Sequence, residues 1–177
     1  MIRLLLGLLL TVSLTLGSWL IPATPAYANS ESMFLAALPG LSGFFAGQRP
    51  TNLGVKDGKL APCPGSPNCV VSQGAQDGEH AIAPIAFTTD PATALATLKS
   101  VVTAQPRTEI IEASDNYLCA EFASQLMGFV DDVEFYLDPA ESVIHVRSAS
   151  RLGQSDLGVN RKRIETIRAE FTAAQRA

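Results

Sequence analysis

The hydrophobic period of this chain changes at Pro106, and that change most constrains its fold. Before the proline, Asp90-Pro91 reads as a helix start: the acid caps, and proline suits the first helical position. Leu95, Leu98, Val101 and Val102 then repeat at helical spacing. After the proline, side chains alternate. Residues 107–112, 117–124, 129–137 and 143–148 are four strand candidates, separated by Ser114-Asp115-Asn116, Gly128 and Asp138-Pro139-Ala140-Glu141. Connections that short favour antiparallel pairing, since a parallel crossover needs a dozen residues or more. An earlier run, 82–87, also reads as a strand. A closing helix is expected from Leu157 or Val159 to Ala174, with Asn160, Ile164, Ile167, Phe171 and Ala174 on one face. The order strand, helix, several strands, helix predicts an α+β domain: an antiparallel sheet with both helices packed on one face.

Alternation also sorts the polar residues. Leu118, Ala120 and Phe122 fall on one side with Val133, Phe135, Leu137, Ile144 and Val146. Asp131 shares that side. The other side collects Glu121, Asp132, Glu134, Tyr136, His145 and Arg147. Acids and an arginine on neighbouring strands lie within pairing reach. The junction between the last strand and last helix adds Ser148, Ser150, Arg151, Asp156, Asn160 and Arg161. Two arrangements fit. In one, Arg147 and Arg151 neutralise Glu121, Asp132 and Glu134 in a structural network, for which the planar guanidinium fork is suited. In the other, the network walls a pocket, and Arg151, Ser148, Ser150 and the helix start hold an anionic group. Structural ion pairs are the commoner of the two. Asp156 or Ser155 would cap the last helix, and Asn160 would tie the loop to the sheet.

The amino terminus points to export. Arg3 is followed by an uncharged, almost wholly apolar run, Leu4 to Ile21, then by Pro22, Pro25 and Ala26-Tyr27-Ala28. That is the pattern of a signal peptide over 1–28 with mature start at Asn29; a retained membrane anchor is the rival reading. Cleavage would leave about 150 residues, one ordinary domain. Residues 29–59 read as a flexible lead segment broken by glycines and Pro50, and 60–177 as the single domain. Apolar residues within 33–45 offer a peripheral membrane contact, although they lack the basic face that such helices carry. A net charge of −4 gives no general attraction for nucleic acid. Cys63 and Cys69 frame a Pro- and Gly-containing loop that a disulfide could close, leaving Cys119 in a strand and buried.

Catalytic signatures are sparse. Arginines near the acids argue for ionised carboxylates rather than a general acid. There is no nucleophile elbow, no His-Glu-x-x-His and no phosphate-binding glycine loop. Cys119 and His145 share strand parity, a thin basis for a nucleophile pair. Cys63, Cys69 and His80 have no common zinc spacing.

Four segments carry a resemblance. These are Ser66-Pro67-Asn68-Cys69-Val70, Phe129-Val130-Asp131-Asp132-Val133-Glu134-Phe135, Arg147-Ser148-Ala149-Ser150-Arg151-Leu152-Gly153 and Ser155-Asp156-Leu157-Gly158-Val159-Asn160-Arg161. Together they resemble the bacterial and plastid family catalogued as domain of unknown function 1499, over roughly 60–171. The resemblance implies that these polar segments are the family signature, and it transfers no activity. The Ala-Tyr-Ala exit is similar to cyanobacterial export signals, which implies periplasm or thylakoid lumen. The resulting expectation is a monomeric, non-catalytic binding or accessory domain without metal or cofactor. Its partner would be a small anionic ligand or a protein. The alternative is a small hydrolase- or isomerase-like enzyme with Glu134 or Asp132 as base and Arg151 as oxyanion partner.

Overall fold

The structure is a computed structural model and describes residues 45–176. The expected signal segment and the apolar residues 33–44 lie outside the described residues. Six strands and two helices follow one another: β1 (Cys69–Val71), β2 (Ile85–Ala86), α1 (Pro91–Thr103), β3 (Thr108–Ala113), β4 (Tyr117–Ala123), β5 (Val130–Asp138), β6 (Val143–Ser150) and α2 (Val159–Ala174). The sheet is antiparallel throughout, in the order β1-β6-β5-β4-β3, and β2 pairs with the first residues of β6. This is the α+β architecture read from the period change.

Local rules account for the helix ends. Asp90 accepts a hydrogen bond from Thr93 N at 3.0 Å and caps α1, with Pro91 next. At α2 the capping position is Gly158, whose φ of 80° suits glycine, and the cap comes from two residues earlier. Asp156 accepts from Gly158 N at 2.9 Å and from Asn160 N at 2.8 Å. Both helices cover one face of the sheet. Ala94, Leu98 and Val102 of α1, and Ile164, Ile167 and Phe171 of α2, join Leu118, Ala120, Phe122, Val133, Phe135, Leu137, Ile144 and Val146 in one buried cluster. Each such large side chain contributes about 1.5–3 kcal/mol of burial.

Three expectations change. The strand expected over 82–87 shrinks to Ile85–Ala86. Its neighbouring carbonyls are satisfied by α2 instead: Arg168 donates to Ala83 O and Pro84 O, and Arg161 to Ala81 O. Ala174, placed on the buried face of α2, is exposed. The third change concerns the face that the helices leave open. Residues 49–60 lie across it. Leu53 and Val55 pack with Leu60, Tyr117 and Cys119 in a second apolar cluster, and Gly54 N donates to Glu134 Oε1 at 2.7 Å. The described part of the lead segment is therefore a cover for the sheet.

Candidate functional site

Strand register places the acids. Glu121 on β4 lies opposite Asp132 on β5, Glu134 lies opposite Arg147 on β6, and Arg151 follows β6 directly. Arg151 is the hub. Its Nε donates to Asp132 Oδ2 at 2.8 Å and its Nη2 to Asp132 Oδ1 at 2.7 Å, while Nη2 also reaches Glu121. Such a bidentate fork is the strong form of a charge-assisted bond. Arg49, from the covering segment, adds a bond to Glu121 at 2.6 Å. The Arg151 side chain is only 6% exposed and that of Asp132 1%. Bonds to Asp132 first, and to Glu121, hold the Arg151 guanidinium firmly protonated despite burial. Burial opposes ionisation of Glu121. The bonds from Arg151 and Arg49 outweigh it, so its carboxyl sits below the usual range.

Glu134 is fully buried and saturated: Oε1 accepts from Tyr117 Oη at 2.8 Å and from Gly54 N, and Oε2 accepts from Arg147 Nη1 at 3.2 Å. Burial, and then the charge of Glu134, raise the Tyr117 phenol well above its ordinary value. Arg147 is less well matched than Arg151, and its buried Nε makes no hydrogen bond among the described residues.

The residues expected to form one site divide between the two faces. Ser148, Ser150 and Asn160 lie on the helix side, away from Arg151. There Asn160 Nδ2 donates to Asn68 O at 2.9 Å and Ser150 Oγ at 3.0 Å, and Ser148 Oγ donates to Asn160 Oδ1. Arg163 donates to Ser148 Oγ at 3.0 Å and Asn160 Oδ1 at 2.7 Å, pairs with Asp131, and stands 4.8 Å from the Phe122 ring centre. The Asp131–Arg163 pair and the Asn68 contacts lie beyond the residues that the sequence marks as a site. Parity had placed Asp131 on the helix side, so a basic residue on the facing stripe of α2 was the available signal. The amides at the start of α2 are taken by Asp156, which removes the anion cradle expected there. Arg161 donates to Gly78 O, Glu79 O and Ala81 O. It lines a cleft of about 210 Å³ with Pro67, Glu79 and Asp156.

Two cysteine readings also resolve. Cys63 and Cys69 are bonded to each other, with Cα atoms 5.7 Å apart. That removes both as thiolate ligands, and His80 turns instead to Asp77 at 2.8 Å and Ser66 O at 3.1 Å. Cys119 is buried, and burial pushes its thiol up to about 11. Its partner in register is Glu134, while His145 pairs with Tyr136 on the far side of β5. Equal parity did not mean adjacent strands, so the Cys119–His145 pair does not form.

Fold and site together define a class: a small α+β domain whose open sheet face holds a buried arginine–carboxylate network beneath an N-terminal cover. A family model described as "Protein of unknown function (DUF1499)" matches residues 59–171, and the chain belongs to that family. No curated protein and no solved structure matches it.

Proposed function

We propose that this domain is an exported, non-catalytic accessory module that works against a membrane surface. The observation carrying this reading is where the exposed apolar side chains lie. Leu126 and Met127 sit in the β4–β5 turn, Leu152 and Leu157 in the β6–α2 loop, and Val159 in the first turn of α2. Register brings these segments to one end of the sheet: Ala123 faces Val130, Asp131 faces Ser150, and Arg151 N bonds to Val130 O. Leu157 is 94% exposed and Leu126 74%. Apolar tips gathered at one end mark an interaction surface, whereas scattered ones would not.

Phe45 packs against Phe129 at that same end, 5.3 Å between ring centres and tilted by 49°. Gly47 passes so close that an added Cβ would lie 3.0 Å from Arg151 Cβ. The sequence leading into Phe45 includes Met33-Phe34-Leu35-Ala36-Ala37-Leu38 and, further back, the apolar run from Leu4. Arg107, whose Nε bonds Ala123 O, and Lys162 in α2 supply positive charge nearby for lipid headgroups. The pairing of the buried carboxylates supports a role without catalysis. Asp132 and Glu134 have their oxygens occupied by donors and are almost wholly buried, which leaves neither carboxylate poised to take a proton from a substrate.

Vesicle flotation tests the reading. Purified protein should float with vesicles containing anionic lipid, and L126E/M127E together with L157E should reduce the bound fraction several-fold while leaving the melt unchanged. Equal flotation of wild type and the triple variant, or no flotation of either, would refute it.

A further inference from the structure

At the opposite end of the sheet, the β5–β6 turn carries a group of side chains that the network does not use. We infer that Asp138, Glu141 and His145 form a binding site for a first-row divalent metal ion, zinc before manganese. One ligand atom from each residue lies within 4.8 Å of the other two. A metal held at about 2.0–2.2 Å from nitrogen and oxygen ligands needs separations of that order or slightly less.

The turn itself builds the arrangement. Asp138 Oδ1 accepts from Ala140 N at 2.9 Å and from Glu141 N at 3.4 Å, which folds the chain back and brings Glu141 over the end of β6. Asp138 Oδ2 makes no hydrogen bond among the described residues and stays available. Glu141 is exposed at 66% of its side chain and is free to adjust.

His145 points its Nε2 ring edge at the two carboxylates. Its side chain is only 9% exposed, yet among the described residues no hydrogen bond reaches Nε2, and its contact there is the looser one to Glu141. Glu141 Oε2 stands 3.7 Å from that nitrogen, too far for a hydrogen bond and suited to an ion between them. The other ring nitrogen is held: Nδ1 is 3.3 Å from Ser72 Oγ, and that oxygen accepts from Val146 N at 2.9 Å. A serine oxygen has two acceptor sites. In the tautomer with hydrogen on Nδ1, the ring donates to Ser72 and the Nε2 lone pair faces the two carboxylates. Anchoring one ring nitrogen so that the other points at a metal is the usual second contact of a metal-binding histidine. Tyr136, 6.1 Å away between ring centres and nearly parallel, further fixes the ring plane.

Ligand chemistry selects the ion. One imidazole and two carboxylates suit zinc, manganese or iron(II), whereas calcium takes oxygen ligands and would gain nothing from His145. Two carboxylates neutralise a divalent charge, and three protein ligands leave the remaining positions to water.

Isothermal titration calorimetry of chelator-treated protein with zinc, manganese and calcium chloride tests the inference. Zinc should bind at one ion per chain. E141Q, at an exposed position that folding does not need, should weaken zinc about tenfold or more, and H145Q should do the same. H80Q, which alters the other histidine, should leave the affinity unchanged. Calcium should bind far more weakly than zinc and be insensitive to H145Q. Zinc binding unaffected by E141Q, or absent from the wild-type protein at millimolar concentration, would overturn the assignment. So would a loss caused by H80Q that equals the loss caused by H145Q.

Discussion

The two faces of the sheet are held down by different physics. The helix face is an apolar layer in which α1 and α2 bury Leu98, Val102, Ile164, Ile167 and Phe171 against Phe122, Phe135 and Val146, with one polar corner at Asn160. The open face is charged, and a segment without helix or strand covers it. Apolar contact is non-directional and tolerates some repacking, so its strength follows the area removed from water. The charged face works only while every buried acid keeps its donor, because an orphaned buried charge costs more than the pair contributed. The covering segment is thus held by specific bonds, Gly54 N to Glu134 and Arg49 to Glu121, as much as by Leu53 and Val55.

The contrast can be broken from either side. Phe135→Ala, in the middle of the helix face, should lower unfolding free energy by about 3–5 kcal/mol in urea melts. Arg151→Ala should cost about 3 kcal/mol or more, since among the described residues Asp132 keeps no other cation and Glu121 keeps only Arg49. Replacing both partners, as Asp132→Asn with Arg151→Leu, should recover much of that loss; recovery absent from the double variant would show that the pair is not the cause. Arg147→Ala should cost less, about 1 kcal/mol, because Glu134 retains the Tyr117 hydroxyl and the Gly54 amide.

The smallest effects are electrostatic and depend on pH. Glu121 has its folded pKa lowered from 4.5, so its contribution is present above that value and is lost as pH falls through the lower folded value. Melts of Glu121→Gln and wild type should converge in acid. The Asp77–His80 contact has two limits. His80 is raised above 6.5, by its bond to Ser66 O and then by Asp77, so its contribution is present below 6.5 and is lost as pH rises through the folded value. Asp77 is lowered below 3.8, first by the His80 amide, so its contribution disappears as pH falls below that value. His80→Gln should therefore flatten the alkaline side of the stability profile and leave the Arg151 network untouched.

Much of the fold was legible because its signals are local. Asp90-Pro91 marked the start of α1, and the change to alternating side chains marked β3 to β6 within a residue or two. Parity also put the acids and arginines on the correct faces. It could not tell that β4 and β6 are separated by β5, so Cys119 and His145 were left as a candidate pair. Likewise Ser148 and Ser150 were grouped with Arg151, although alternation puts neighbours in sequence on opposite faces. The stretch 82–87 looked like a strand because nothing in its own residues shows that Arg168 takes the carbonyls of Ala83 and Pro84.

By itself, the amino-acid order determined the elements, their inward faces and the opposition of acid to base, since periodicity and caps act over a few residues. Tertiary structure alone decided that residues 49–60 cover the charged face, that Arg163 reaches Ser148 and Asp131 from α2, and that Arg151 rather than Arg147 is the hub. Those outcomes depend on contacts between residues many positions apart, where the free energy comes from which donor reaches a buried acceptor, and no local pattern encodes that distance.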